Sequence, residues 1–228
     1  MSNPKLSIII PAYNEEQSIV ETVQAIMDWP IQKEVIIVDD GSKDSTFQKI
    51  KELAEQSNEI KGVALEKNIG KGEALMRGIN KASGEILLFL DGDLKATAKN
   101  AIKLVEPILE NNVDMTIAKF PPAKIKGGFG FVKNLATYGI YLYTGFRPSA
   151  PLSGQRAIKK SVMDQINYLS SGFGIEVGLT IDVLRKGYRV KEIEIPLYHR
   201  ETGRDMKGFV HRGKQFTAVF KTLVKKLN

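Results

Sequence analysis

From Leu6 to Leu90, short apolar runs alternate with amphipathic segments. Leu6 to Ile10 is a run closed by Pro11, and Val35 to Val38 is a second, closed by Asp39-Asp40-Gly41. Both read as parallel strands buried on both faces. After the first, Ile19, Val20, Val23, Ile26 and Met27 recur at helical spacing, and after the second Phe47, Ile50, Leu53 and Ala54 do the same. A third strand near Val63 to Leu65 leads through Gly70 and Gly72 to a helix carrying Ala74, Leu75, Gly78, Ile79 and Ala82. Ile86 to Leu90, the most apolar run, ends on Asp91-Gly92-Asp93. This winding predicts an α/β fold with a mostly parallel, doubly wound sheet and ligands at the carboxyl ends of its strands.

The second half is less regular. It reads as a helix around Ala98 to Leu109, a strand near Met115 to Ala118, and a Pro/Gly-rich stretch from Pro121 to Gly130 with the character of a mobile loop. An aromatic helix near Leu135 to Tyr143, a Pro/Ser/Gly loop, a helix near Glu176 to Arg185 and a strand from Arg189 to Ile195 follow. Phe209, Phe216, Val219, Phe220, Leu223, Val224 and Leu227 then approximate a helical stripe backed by lysines.

A length of 228 residues fits one domain, and 43% hydrophobic with 26% charged residues excludes a disordered or fibrous chain. The absence of cysteine confines any metal to oxygen or imidazole ligands, which favours Mg²⁺ or Mn²⁺. No apolar run is long enough to span a bilayer and no secretory signal opens the chain, so the expected location is cytoplasmic. The net charge of +7 gathers at the end: eight Lys or Arg from Arg200 onward face only Glu201 and Asp205. A basic tail on a nearly neutral body points to an anionic partner, whether phosphate, diphosphate or an acidic membrane surface, or else to a solvated last helix. No helix-turn-helix, RNA-recognition or zinc pattern accompanies it, which sets nucleic acid aside.

Three polar clusters and one glycine turn carry the chemistry. Asp91 and Asp93 at a strand end are costly to leave unpaired, so a cation or a hydrogen-bond network is expected there; an ordinary Asp/Gly turn is the alternative. Asp39 and Asp40 exceed what the Asp44-Ser45-Thr46 helix start requires, and acidic residues at such strand ends hold ribose hydroxyls or a base edge. In Pro11-Ala12-Tyr13-Asn14-Glu15, Tyr13 would stack on a base and Glu15 accept from a ribose, unless the segment is simply a helix cap at Asn14. Gly70-Lys71-Gly72 opens a helix whose free N–H groups and lysine suit a phosphate, although the Ser or Thr of a P-loop is missing.

Taken in order, Ile10-Pro11-Ala12-Tyr13-Asn14-Glu15, Val38-Asp39-Asp40-Gly41-Ser42, Asn68-Ile69-Gly70-Lys71-Gly72 and Leu90-Asp91-Gly92-Asp93-Leu94 resemble the family-two glycosyltransferases of the GT-A fold. That fold is Rossmann-like, with a mostly parallel sheet flanked by helices, and the resemblance covers nearly the whole chain. It implies an enzyme that takes a hexose, glucose first, from a UDP-sugar. Pro11, Tyr13, Glu15, Asp39, Asp40, Lys71, Asp91 and Gly92 would bind the donor, with Asp91 and Asp93 as its Asp-Xaa-Asp motif and Asp93 a direct ligand to Mg²⁺ or Mn²⁺. Residues 1–118 would form the nucleotide-sugar half, 119–208 the acceptor half and 209–228 a basic amphipathic helix.

Two branches compete for the acceptor. Gly70-Lys71-Gly72-Glu73-Ala74-Leu75, Pro151-Leu152-Ser153-Gly154, Gly172-Phe173-Gly174-Ile175-Glu176 and Tyr198-His199-Arg200 look like glucosyl-3-phosphoglycerate synthases, whose matching histidine makes His199 a metal ligand. Ser153-Gly154-Gln155-Arg156 and Pro196-Leu197-Tyr198-His199-Arg200 look like dolichol-phosphate mannose or glucose synthases. Both take phosphorylated acceptors, so Gly154, Arg156, Arg200 and Arg204 become candidate acceptor or phosphate contacts, arginine's fork matching phosphate oxygens. A hydroxyl acceptor needs a base, for which Glu176 is the candidate, although Val177 replaces the usual second acid; a polyprenyl phosphate needs none. The last helix would lie on an anionic membrane beside a lipid acceptor, pack on the body, or join a homodimer. The remaining alternatives are a GDP-mannose-dependent polyprenyl-phosphate mannosyltransferase and a degenerate nucleotide-binding module.

Overall fold

Seven strands form the central sheet in the order β3-β2-β1-β4-β6-β5-β7. They are β1 (Leu6–Ala12), β2 (Lys33–Asp39), β3 (Ile60–Ala64), β4 (Ile86–Phe89), β5 (Met115–Lys119), β6 (Arg156–Lys159) and β7 (Val190–Glu194). The helices are α1 (Ile19–Met27), α2 (Thr46–Gln56), α3 (Lys71–Ile79), α4 (Glu106–Leu109), α5 (Phe131–Thr144), α6 (Lys160–Met163), α7 (Ile175–Arg185) and α8 (Met206–Lys225). A computed structural model of the chain describes residues 5–121, 130–166, 174–197 and 206–227, with the backbone alone over 206–212. Neighbouring strands are parallel except at β6, which runs antiparallel to both β4 and β5.

Alternation along the strands builds two apolar layers, one on each face. Ile8, Ile10, Val35 and Ile37 pack with Ile19, Val23 and Ile26 of α1 and Ile50 and Leu53 of α2. Ile9, Ile36 and Val38 pack with Ala74, Leu75 and Ile79 of α3 and Ile175, Leu179 and Val183 of α7. A third layer joins α5 and α8 to α7 through Ala136, Ile140, Val177, Ile181, Val219 and Leu223. A Cβ at Gly139 would overlap the Leu223 side chain, so glycine lets α5 and α8 approach closely. Among the described residues no helix is long and apolar enough to cross a membrane.

The structure departs from the sequence pattern in four places. β3 begins at Ile60 rather than Val63; it is the edge strand, and exposed Lys61 and Gly62 hide its apolar pattern. The expected helix over 98–109 is a 3₁₀ helix, Lys95–Leu104, followed by α4, with Pro107 in the first turn of α4. Its buried residues, Ala98, Ala101 and Leu104, recur every third position, the period of a 3₁₀ helix. β6 lies where a loop was expected, because four residues reading Arg-Ala-Ile-Lys carry too little apolar signal. The last helix begins at Met206, three residues before the boundary drawn at 209. Of the Pro/Gly-rich stretch, residues 122–129 lie outside the described residues.

At the amino end of β2, the end of the sheet away from the crevice, Glu34 is a buried carboxylate held by Ser7 Oγ at 2.6 Å, Lys61 Nζ at 2.7 Å, and Ser83 N and Oγ at 2.7 and 2.8 Å. Burial alone would raise its pKa, but these donors outweigh it and carry the value from 4.5 down to about 2. A depressed carboxylate adds stability above its unfolded pKa and loses it as pH falls toward the folded value. The contribution, on the order of 3 kcal/mol, is therefore present at neutral pH and lost between about pH 4.5 and 2. Urea unfolding should show wild type well above Glu34→Gln at pH 7, with the gap shrinking toward pH 3; a constant gap would remove this account.

Candidate active site

The crevice opens at the carboxyl ends of β1 and β4, where the winding reverses and α1 and α3 cover opposite faces, the switch point at which such sheets bind ligands. A cleft of about 380 Å³ lies there, its wall including Pro11, Tyr13, Glu15, Asp40, Lys71, Asp91, Gly92 and Asp93. The four motifs, distant in sequence, thus meet in one place. Asn68 also lines it; the sequence offered no reason to choose it beyond its place before Gly70.

The first wall is two loops tied together. Asn14 takes a left-handed backbone (φ 54°), donates its own N–H to Ser42 Oγ at 2.9 Å, and accepts Lys43 N–H on Oδ1 at 2.9 Å. Glu15 N–H donates to Thr46 Oγ1 at 2.8 Å. Asn14 therefore locks the β1 loop to the β2 loop rather than capping α1. At the start of α2 it is Asp44 that accepts, from Thr46 N–H and Oγ1. Gly41 is required: its φ is +67°, and a Cβ would stand 2.5 Å from the Lys67 carbonyl carbon. Tyr13 remains 40% exposed on the cleft wall, open for stacking.

The two β2 carboxylates do different things. Asp40 accepts Ile69 N–H on one oxygen and Gly70 N–H on the other, both at 2.9 Å, and so fixes the loop that launches α3. Asp39 is 3% exposed and accepts Ser42 N–H on Oδ2, while Oδ1 is buried with no hydrogen-bond partner. A buried carboxylate oxygen left so is costly; Asp39 does not itself line the cleft, so a ligand N–H or O–H would have to reach it past its neighbour Asp40, which does.

At the centre, Asp91 is clasped from both sides. Lys71 Nζ lies 2.5 Å from Oδ1, and Gln155 Nε2 donates to Oδ2 at 2.5 Å. Gln155 reaches it because β6 is antiparallel: Phe89 pairs with Arg156, so the start of β6 lies beside the end of β4. Gly154 gives the lysine space, since a Cβ there would stand 2.5 Å from Nζ. Burial disfavours the Lys71 ammonium, but the charges of Asp91, Glu176 and Asp93 outweigh it and raise the pKa. The motif Ser153-Gly154-Gln155-Arg156 contained this residue; the arginine beside it gave the louder phosphate signal.

Arg156 corrects the sequence reading. It is 1% exposed, and its guanidinium donates to Ser153 O, Glu176 O, Thr180 Oγ1 and Pro151 O at 2.7 to 3.2 Å. It rivets β6 to α7 and presents no fork to an acceptor phosphate. Glu176, in the first turn of α7, is half-buried; burial raises its pKa against the opposing pull of Lys71 and Arg156. His199, Arg200 and Arg204 lie outside the described residues.

A second cleft, about 570 Å³, shares Lys71 and Asp91 with the first. Phe120, Pro121, Pro151 and Leu152 give it an apolar side, with Lys119 and Lys133 at its wall; Lys119 also pairs with Glu194 at 3.2 Å. Among the described residues no group of three acidic or histidine side chains forms a ready metal cage. Asp91 and Asp93 still fit a hard divalent cation: they offer oxygen ligands on the cleft, and Asp91 already holds one positive charge there.

Comparison with known proteins agrees with this geometry. The model of "Glycosyl transferase family 2" matches residues 7–168. The dolichol-phosphate mannosyltransferase of Pyrococcus furiosus is 30% identical over 204 residues, 84% of this chain and 55% of that protein. The undecaprenyl-phosphate 4-deoxy-4-formamido-L-arabinose transferase of Proteus mirabilis is 27% identical over 216 residues, 86% and 60% of the two chains. The chain therefore spans somewhat over half the length of these relatives. Among solved structures, glucosyl-3-phosphoglycerate synthase of Mycobacterium tuberculosis with Mn²⁺, UDP and phosphoglyceric acid superposes with a TM-score of 0.76 at 26% identity, covering 97% of this chain and 78% of that one. The same enzyme with Mg²⁺ and UDP gives 0.77 at 25% identity, covering 97% and 79%.

Proposed function

Because this chain belongs to glycosyl transferase family 2 and has the GT-A fold, we propose that it moves a hexose from a UDP-sugar to a polyprenyl phosphate. One observation carries the reading: two clefts meet at Lys71 and Asp91, one with Glu15, Asp40, Asp91 and Asp93 on its wall, the other with Phe120, Pro121, Pro151 and Leu152 beside Lys119, Lys133 and Glu194. The first suits a nucleotide diphosphate with its cation, the second an amphiphile with an anionic head and an apolar chain. The names of the P. furiosus and P. mirabilis relatives support the lipid acceptor, and the ligands of the M. tuberculosis enzyme support the uridine donor and the metal.

In this reading Tyr13 stacks on the base and Asp39 Oδ1 accepts from the nucleoside. Asp93 and Asp91 would hold Mg²⁺ or Mn²⁺, which would supply positive charge against the diphosphate leaving group. An ionised oxygen of the acceptor phosphate forms the new bond to that carbon, and UDP leaves with the electron pair. No proton has to be removed, so Glu176 need not act as a base; its carboxylate, near Lys71, helps keep that lysine charged where the clefts meet. Outside the cleft, Phe216, Phe220 and Val224 are exposed at four-residue spacing on α8, with Lys214, Lys221 and Lys225 beside them. No acidic residue occurs in α8, so this face suits an anionic lipid surface.

The test is incubation with labelled UDP-glucose and Mn²⁺ in phosphatidylglycerol vesicles, offering either undecaprenyl phosphate or 3-phosphoglycerate. Label entering the organic phase, with protein sedimenting on the vesicles, is the expected result. Label in water-soluble sugar phosphate alone would transfer the assignment to the phosphoglycerate branch. Activity with GDP-mannose in place of UDP-glucose would favour the second reading, to which the P. furiosus mannosyltransferase points.

A further inference from the structure

We infer that Lys71 is a built-in counter-ion, one that occupies Asp91 until nucleotide and divalent cation arrive together, and that Gly154 is kept small to seat it. The inference rests on the reading of Asp91 and Asp93 as the metal-bearing pair.

The ammonium lies 2.5 Å from Asp91 Oδ1, where a cation on that carboxylate would compete with it. Gln155 donates to the other oxygen, so both oxygens of this carboxylate already carry a donor, and a metal ion arriving at Oδ1 competes with the lysine there. The lysine's own anchor is also fixed: Asp40 holds Ile69 and Gly70 N–H, and the lysine is the first residue of α3. Exchange is therefore a side-chain movement on a rigid base. Gly154 forms the floor of the seat, with room for a lysine head and none for a methyl group.

An arriving metal ion must displace this ammonium, which then loses its closest anion in a partly enclosed cleft. A bare metal ion consequently binds weakly. When a diphosphate comes with the ion, it offers the lysine a new anion at the start of α3, where free helix N–H groups favour phosphate. Lysine thus links the two ligands: each raises the affinity of the other, and reciprocity requires the two gains to be equal. The arrangement disfavours a cation-loaded, nucleotide-free site.

Mn²⁺ binding, followed by calorimetry and by the electron paramagnetic resonance of free Mn²⁺, reads this without turnover. Three proteins would be compared with and without UDP: wild type, Lys71→Met and Gly154→Ala. In Lys71→Met, Mn²⁺ alone should bind about tenfold more tightly than in wild type, within the usual range of coupling between sites, and the further gain from UDP should shrink. In Gly154→Ala, the added methyl group unseats the ammonium, so Mn²⁺ alone should again bind more tightly while the lysine still meets the diphosphate. If both variants bind Mn²⁺ as weakly as wild type, with UDP still tightening all three, the counter-ion role is wrong and the metal site stands. If no protein binds Mn²⁺ even with UDP, the assignment of Asp91 and Asp93 itself fails.

Discussion

Asp93→Ala should fold with wild-type cooperativity and bind no UDP in a manner that responds to Mn²⁺ or Mg²⁺. Transfer should fall by on the order of 10³-fold, the scale at which electrostatic stabilisation of a leaving group acts. Folding survives because Asp93 is on the cleft wall, while the buried residues around it, Leu90 and Leu94, are untouched. Asp93→Asn separates charge from shape: it keeps the side chain's volume and should lose nearly as much. Calorimetric titration of UDP with Mn²⁺ and then with EDTA decides the matter. A mutant whose binding still collapses on chelation, as wild type does, would remove Asp93 from the metal.

The second large effect falls on stability. Arg156→Ala removes four hydrogen bonds from a fully buried guanidinium and leaves three carbonyls and Thr180 without that donor. Burial has pushed its pKa down to about 10, so the group is still charged at neutral pH. A loss of about 3–5 kcal/mol is expected, or a fall in Tm on the order of 10 °C. Arg156→Lys keeps the charge but not the fork, and should lie between. Activity should fall with the folded fraction, leaving the acceptor KM unchanged below the transition. An unaltered Tm with a weakened acceptor KM would return Arg156 to the acceptor site.

The donor half was legible because strands buried on both faces give uniform apolar runs, and their polar ends stand out against them. Asp39, Asp40, Asp91 and Asp93 needed only that contrast to be chosen. The division of labour between Asp39 and Asp40 was not legible, since it depends on which carboxylate meets Ile69 and Gly70 N–H across the cleft. Arg156 was misjudged for a related reason. Arginine's preference for phosphate is a property of the side chain, but burial and the carbonyls of Pro151, Ser153 and Glu176 are properties of the packing. Gln155 escaped notice because its importance comes from the direction of a four-residue strand that apolar patterning does not reveal. The length of the 3₁₀ helix was hidden by a period of three that looks much like 3.6 over a short window.

That same strand makes the crevice depend on pairings between distant parts of the chain. Leu6 meets Ile86 across β1 and β4, and Phe89 meets Arg156 across β4 and β6. The floor of the crevice and the clasp around Asp91 therefore each require a long loop to be closed, and neither closure supplies the other. A chain in which β1 and β4 had paired before β6 joined them would already bring both aspartates to the crevice and would still lack Gln155, the residue that aligns one of them.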